Sequence, residues 1–491
     1  MKGQEKPETS SIKVGLKPFI TSVAIILALM VVSGILTRVL PTGHYQYTEI
    51  EGRKAVVQGS YVETGKTTLP VWRWFTAPVE VLWGDNRQMV AVIILFMVFL
   101  GGALRILEEG KILETALAMT VSKFRHRKYL LMAVVMFVMM FLASVVGIYE
   151  AMVPLVIFMV PLALSFGWDS LTGLGMSLLA LAFGFAAAVT NPFTVAVAQM
   201  LSDLPLYSGS WLRIIFFLVT FVVCYGFVAL YARKIERNPL KSIVCKDDEA
   251  IRHHYAPEKL MENLKNLSLP GMRAAMVWFS VFLGIAILFI LLTGIFFRNL
   301  SHLSFPLVSL MFFIGGIGSG LLLRYNPVRV LILFGKGVLA LAPGILLVLM
   351  AMSVPHIMTR GGVMDTILYR AGEIIQGTGT YLSAFYVYLL TLFLNFFIGS
   401  ASAKAFLVMP IIVPLGEVVG LTRQTMVLAF DFGDGFSNML FPTNALLLIG
   451  LSFASVSYTK WIRWTWLLQV LIFAVSMAFL MFAVKIGFGP F

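Results

Sequence analysis

Charge is scarce in this chain: Asp, Glu, Lys and Arg make up 12% of its 491 residues. A soluble domain carries about a quarter, so most of this surface must face lipid. There are two cysteines. Cys224 lies in an apolar run and Cys245 in a basic loop, so no disulfide framework can be read. Six histidines are scattered along the chain, without the spacing of a metal-ligand set or of a histidine-rich haem core. No phosphate-cradling glycine loop and no nucleophile–base constellation is present. An enzyme is therefore not expected, nor a resident metal or cofactor. Acidic residues number 24 against 37 Lys and Arg, a net charge of +13, yet this excess is no nucleic-acid footprint. It collects in Lys2 to Lys17, Lys123 to Lys128 and Arg233 to Arg273, short loops between apolar runs, as the cytoplasmic loops of membrane proteins do.

Apolar sequence is what the chain has in quantity. It is 59% hydrophobic with a mean hydropathy of +0.91, and runs long enough to cross a bilayer, about 20 residues, recur throughout. The reading is an all-α polytopic membrane protein with the lipid bilayer as a partner and no nucleic acid. The run Pro18 to Leu40 lacks a small-residue cleavage site and reads as a retained helix. The polar tail 1–17 is placed in the cytoplasm. Residues 41–88 form an external loop, in which strands flanking Glu51-Gly52 predict a hairpin. Trp72, Trp74, Phe75 and Trp83 predict an interfacial aromatic belt.

Two stretches share one frame. Val160-Pro161-Leu162, Gly167 and Thr190-Asn191 recur with the same spacing as Val413-Pro414-Leu415, Gly420 and Thr443-Asn444. Gly110 to Leu117 likewise echoes Gly361 to Leu368. The charge map then gives the two halves, 18–233 and 305–491, opposite directions across the membrane, joined by a cytoplasmic loop and linking helix over 234–304. Each half contains a bend within apolar sequence, in hairpins 129–166 and 381–416. Two full spans would give the same parity as one re-entrant hairpin, and the site chemistry favours the hairpin. Inverted repeats with interrupted helices point to a transporter whose site lies where the repeats meet.

The interruptions carry the candidate chemistry. The bends are Gly147 to Glu150 and Gly399 to Lys404; Phe183-Gly184-Phe185 through Asn191-Pro192 and Phe432-Gly433-Asp434-Gly435 through Asn444 are expected to break the helices that follow. Unwound backbone in hydrocarbon is tolerated where it lines a wet cavity. There, freed carbonyls suit Na⁺ and half-helix N-termini suit a carboxylate. Candidate substrate-binding residues are Glu150, Thr190, Asn191, Ser400, Ser402, Lys404, Thr443 and Asn444. Candidate coupling-ion residues are Ser144, Gly147, Asn395, Asp431, Asp434 and Ser437, with Na⁺ as the possible ion. Asp431 and Asp434 share a face if their helix is intact. Lys404 either meets a substrate carboxylate or pairs with Glu150.

At these residues the chain resembles the YfcC-type branch of the C4-dicarboxylate anaerobic carrier family, within the ion-transporter superfamily. The stretches that carry the resemblance are Asn191 to Gln199, Ser208 to Arg213, and Val413-Pro414-Leu415 through Arg423-Gln424 to Gly433-Asp434-Gly435-Phe436-Ser437 and Pro442-Thr443. It implies a secondary carrier of the bacterial inner membrane with two re-entrant hairpins, a dimerising scaffold and elevator-type movement. Relatives are linked to C4-dicarboxylates and to basic amino acids such as arginine or ornithine. Such relatives have paired acidic residues in the first hairpin, where Tyr149-Glu150 supplies one, and Ser-Gly-Ser-Gly-Gln in the second, where this chain has Ser400-Ala401-Ser402-Ala403-Lys404. The added cation would change the substrate or replace a coupling ion. The expected function is secondary active transport of a small carboxylate-bearing metabolite, an amino acid or C4-dicarboxylate, coupled to Na⁺, H⁺ or exchange. A passive channel would need a continuous polar lining, and a membrane-embedded subunit of an assembly is the other alternative.

Overall fold

The computed structural model describes residues 16–50, 53–65, 69–84, 87–254, 262–295 and 303–489. The fold is mostly helical, and among the described residues eight helices are long and apolar enough to cross a membrane. In chain order the helices are α1 (Leu16–Val39), α2 (Trp72–Glu80), α3 (Arg87–Glu109), α4 (Ile112–Phe124) and α5 (Lys128–Val145). Two shorter apolar helices come next, α6 (Glu150–Ser165) and α7 (Ser170–Ala186). Then come α8 (Val195–Leu201), α9 (Ser210–Arg237), α10 (Cys245–His254), α11 (Met272–Ile295) and α12 (Ser304–Leu322). The remainder are α13 (Pro327–Arg360), α14 (Met364–Gln376), α15 (Thr380–Asn395), α16 (Ala401–Val418), α17 (Arg423–Ser437), α18 (Ala445–Phe453) and α19 (Tyr458–Lys485).

Burial sorts these helices by role. On α11 the exposed positions Val277, Val281, Ile285, Leu288 and Leu292 form one apolar stripe, a surface that only lipid or another apolar face would cover. In contrast, α7 is buried along its whole length, as is α17 from Gln424 to Ser437. These two helices are the centre of the protein, and each is followed by a break.

Glycines 184, 433 and 435 do not break these helices, contrary to the sequence expectation: α7 runs through Gly184, and α17 runs through Gly433 and Gly435. They are contact points instead. A Cβ on Gly184 would lie 2.3 Å from the Met140 carbonyl of α5, on Gly433 2.5 Å from the Tyr388 carbonyl of α15, and on Gly435 2.2 Å from Ala186 Cα of α7. Small residues let membrane helices cross at backbone distance. The unwound segments come later, at Ala187 to Thr194 and Asn438 to Asn444.

The loop after α1 forms two short antiparallel sheets. Strands β2 (Tyr47–Ile50) and β3 (Arg53–Val56) pair as expected, with Ile50 opposite Arg53, while the turn residues Glu51 and Gly52 lie outside the described residues. Strands β1 (Thr42–His44) and β4 (Val62–Gly65) pair around them; three or four residues each were too short to read from sequence. The subdomain docks on the first turn of α14. Asp365 accepts from Tyr45 N at 2.9 Å and from the Tyr47 hydroxyl at 2.6 Å, and Tyr61 stacks on Tyr369 with centroids 4.2 Å apart. Burial, and then the bond to Asp365, pushes the Tyr47 phenol up, so it remains a donor throughout the neutral range. Asp365→Ala should weaken this docking by about 1.5 kcal/mol, since bonds to a charged group are lost at a partly wet site. Limited proteolysis within 42–65 should then run roughly tenfold faster; unchanged cleavage would show that the stacked rings hold the loop by themselves.

Of the expected aromatic belt, Trp72, Phe75 and Trp83 are exposed, but Trp74 is buried. It packs on Gly34 of α1, with the Arg38 guanidinium 5.6 Å from its ring centroid, so it joins α1 to α2 rather than facing lipid headgroups.

Candidate substrate and ion site at the helix breaks

The first break is tied to the end of α5. Gly147 takes φ +77°, and a Cβ there would lie 2.5 Å from Asn191 Oδ1, so both the backbone and the neighbour require glycine. The Ser144 hydroxyl donates to the Ala187 carbonyl at 2.6 Å and accepts from Val189 N at 3.1 Å. Thr190 donates to the Val145 carbonyl at 3.1 Å, and Asn191 Oδ1 accepts from Phe193 N at 2.8 Å.

The second break repeats these bonds. Thr443 donates to the Phe396 carbonyl at 2.7 Å, and Asn444 Oδ1 accepts from Leu446 N at 2.9 Å. The shared Thr-Asn frame thus has one physical purpose in both halves: threonine pins the unwound strand to the preceding helix arm, and asparagine caps the turn beyond it. Several freed carbonyls are taken by side chains. Arg213 Nε donates to Val189 O at 3.1 Å, Trp461 to Met439 O at 2.9 Å and Tyr458 to Leu440 O at 2.7 Å. Backbone oxygens for an ion are correspondingly fewer than a bare break would offer.

Glu150 and Gly399 are exposed, one on each bend, although apolar sequence surrounds both. Thr190, Ser400 and Thr443 are half-buried, and Asn191, Ser402 and Asn444 are buried beside them. Helix α16 packs on α8, and α18 packs on the opening turn of α6. The arm that follows each bend therefore meets the segment after the break of the other half. The Ser400 hydroxyl caps α16 by accepting from Ala403 N at 3.4 Å.

The buried charges fall into two groups. Lys404 is fully buried, and its ammonium lies 2.5 Å from Asp434 Oδ1 and 2.5 Å from Asn395 Oδ1. Of the two readings of Lys404, the pairing with Glu150 is not the contact formed: helix geometry puts Asp434 on the face of α17 that meets the start of α16, and Glu150 makes no ion pair among the described residues. Asn395 Nδ2 also donates to the Asp434 carbonyl at 3.0 Å, Ser437 Oγ at 2.7 Å and Asn438 Oδ1 at 3.0 Å. Asn438, which sequence reading passed over, further accepts from Asn444 Nδ2 at 2.8 Å and so links the ion-pair group to the Thr-Asn pair. A polar residue directly after a buried acidic helix was its only signal.

Asp431 forms the second group. It is buried, and neither carboxylate oxygen has a hydrogen-bond partner. Thr194 Oγ1 and Arg213 Nη1 are also buried without a partner at hydrogen-bond distance, and both act on this carboxylate, Thr194 as a hydroxyl donor facing it and Arg213 by its charge. A buried carboxylate left open in this way is costly unless a proton, water or cation completes it.

Comparison with known proteins gives the family. The profile of a family described as the C4-dicarboxylate anaerobic carrier matches residues 19–485. A protein from Escherichia coli strain K12, YfcC, provisionally named a basic amino acid antiporter, is 29% identical over 425 residues, covering 84% of this chain and 81% of that one. An uncharacterised protein of Haemophilus influenzae is 23% identical over 375 residues, covering 76% and 71%. Among solved structures, the YdaH transporter of Alcanivorax borkumensis is similar at 18% identity and TM-score 0.43, covering 96% of this chain and all of that one. MtrF of Neisseria gonorrhoeae, described as one of a class of antimetabolite efflux pumps, is similar at 16% identity and TM-score 0.40, covering 94% of each chain. A family match over nearly the whole length of this polytopic membrane chain places it in the C4-dicarboxylate anaerobic carrier family.

Proposed function

We propose that the chain is a secondary active carrier of a small metabolite bearing both a carboxylate and a cationic group, in the first place a basic amino acid such as arginine or ornithine. The observation that carries this reading is which charge remains accessible at the breaks. Lys404 is buried and engaged by Asp434, whereas Glu150 stands on the first bend without an ion-pair partner among the described residues. A C4-dicarboxylate, the second reading, draws on the family description but would face that carboxylate while Lys404 is already engaged by Asp434. The substrate carboxylate is assigned to the N-terminal ends of α16 and α18, where Ser400 and Asn444 are caps and the helix dipole favours an anion. Ser402, Thr190, Asn191 and Thr443 complete the lining in this reading.

Coupling is assigned to Asp431, the buried carboxylate without a partner, which would take up H⁺ or Na⁺ or change state during exchange. Ser144 and Gly147 serve the first break in the same scheme, and Asn395, Asp434 and Ser437 the second. The matched threonine and asparagine bonds support inverted repeats over 18–233 and 305–491 joined by 234–304. In that scheme 129–166 and 381–416 are re-entrant hairpins approached from opposite faces. Elevator movement on a homodimeric scaffold, in a bacterial inner membrane with the N-terminus inside, rests on the same family expectation.

A melting screen of purified protein tests the substrate class, because a ligand that binds only the folded state raises the midpoint. Basic amino acids should raise it and C4-dicarboxylates should not. Glu150→Gln should then weaken basic amino acids about tenfold, equivalent to about 1.4 kcal/mol for one charge-assisted contact at an open site. Stabilisation by dicarboxylates that survives Glu150→Gln would favour the second reading. Asn191→Ala and Asn444→Ala should each reduce uptake into vesicles far more than they lower the melting midpoint; wild-type uptake by both would remove these residues from the site.

A further inference from the structure

The second break holds a charge pair that the first lacks, and the difference can be traced position by position. The two threonine bonds end on Val145 and Phe396; setting these on one another places Ser144 on Asn395. Setting Thr190 on Thr443 places Leu181 on Asp434, and setting Pro161 on Pro414 places Ala151 on Lys404. A hydroxyl and two apolar side chains in the first half thus correspond to an amide, a carboxylate and an ammonium in the second. Those three touch one another in the fold.

Their arrangement is that of an occupied cation site. Asp434 Oδ1 and Asn395 Oδ1 converge on one point, 2.5 Å each from the Lys404 nitrogen. Three acceptors hold the Asn395 amide nitrogen, which turns its oxygen toward the same point. A carboxylate and a fixed carbonyl oxygen beside unwound backbone are ligands suited to a hard monovalent cation. Asp434 Oδ2 is buried with no partner, so the cage offers more acceptor oxygen than the ammonium uses.

We propose that the Lys404 ammonium is a tethered cation filling a Na⁺-type site in the second half, so that this half closes on its break without a free ion. Coupling would then run through Asp431 and the first break, while Asn395, Asp434 and Ser437 serve the second break by holding the ammonium in place of a free ion. The proposal rests on the carrier reading only for what the cation does in transport; the cage itself can be tested without any substrate, so failure of one leaves the other standing.

The test compares melting midpoints of purified protein in NaCl and in choline chloride at equal ionic strength. Three chains are needed: the natural one, Lys404→Ala, and Lys404→Ala with Asp434→Asn. Removing the ammonium should open the cage to Na⁺, so Lys404→Ala should gain a saturable, Na⁺-specific rise of about 2–4 °C beyond any rise in the natural chain. The double variant should lose that gain. If Lys404→Ala does not purify folded, Lys404→Gln takes its place, since its amide oxygen can serve as a further ligand. No gain in either folded single variant, or a gain that persists without the Asp434 carboxylate, would overturn the proposal.

Discussion

Lys404→Met should lower stability in Na⁺-free buffer by about 3–5 kcal/mol, because it leaves a buried carboxylate with no counter-charge. Combining it with Asp434→Asn should recover most of that loss. The partners are wholly inside the protein, with side-chain exposures of 0% and 1%, so solvent cannot rescue the single variant. The neutral pair removes both desolvated charges, and its net effect should lie within about 1–2 kcal/mol of the natural chain, as replacement of buried ion pairs often does. Reversible denaturation in detergent reads this directly. Glu150→Gln in place of Asp434→Asn should give no recovery. Recovery with Glu150→Gln instead would mean that Lys404 answers to the first bend after all.

Gly435→Val should be comparably damaging, at about 3 kcal/mol, with uptake falling in parallel. The 2.2 Å contact that its Cβ would make is with the backbone of Ala186, and a backbone cannot rotate away as a side chain can. Helices α7 and α17 would have to separate, at the upper end of the usual overpacking cost. Both helices lead directly into the breaks, so their separation shifts Asn191 and Asn444 relative to one another. Gly226 is the control: nothing lies within 4 Å of a Cβ there, and Gly226→Ala within α9 should stabilise by up to about 1 kcal/mol through helix propensity alone. A Gly435→Val chain that melts with the natural one would show that this crossing is loose.

How much of this was legible beforehand depends on the range of the interaction involved. The membrane class, the spans, the two breaks and the repeated Thr-Asn pair were all readable, as was the family. Each rests on composition or on spacing along a few tens of residues: hydrocarbon rewards apolar residues wherever they stand, and broken backbone leaves a local polar signature. The hairpin around Glu51-Gly52 was readable for the same reason, because its register is set by its own turn.

The sequence by itself therefore determined the solvent of this protein and which segments contain its helix breaks, though not the residues at which the helices end. Tertiary structure alone decided what those interruptions do. Glycine reads identically as a breaker or as a crossing point; at 184, 433 and 435 the choice fell to the neighbouring helix, whose packing outweighs a local propensity cost of about 1 kcal/mol. Trp74 resembled its exposed neighbours until α1 covered it. Lys404 could have met a substrate, Glu150 or Asp434, and only the crossing of α16 on α17 brought it within 2.5 Å of the last. The same packing left Asp431 without a partner. In a low-dielectric interior a charge is governed by whichever opposite charge the fold brings closest, and sequence spacing does not encode that distance.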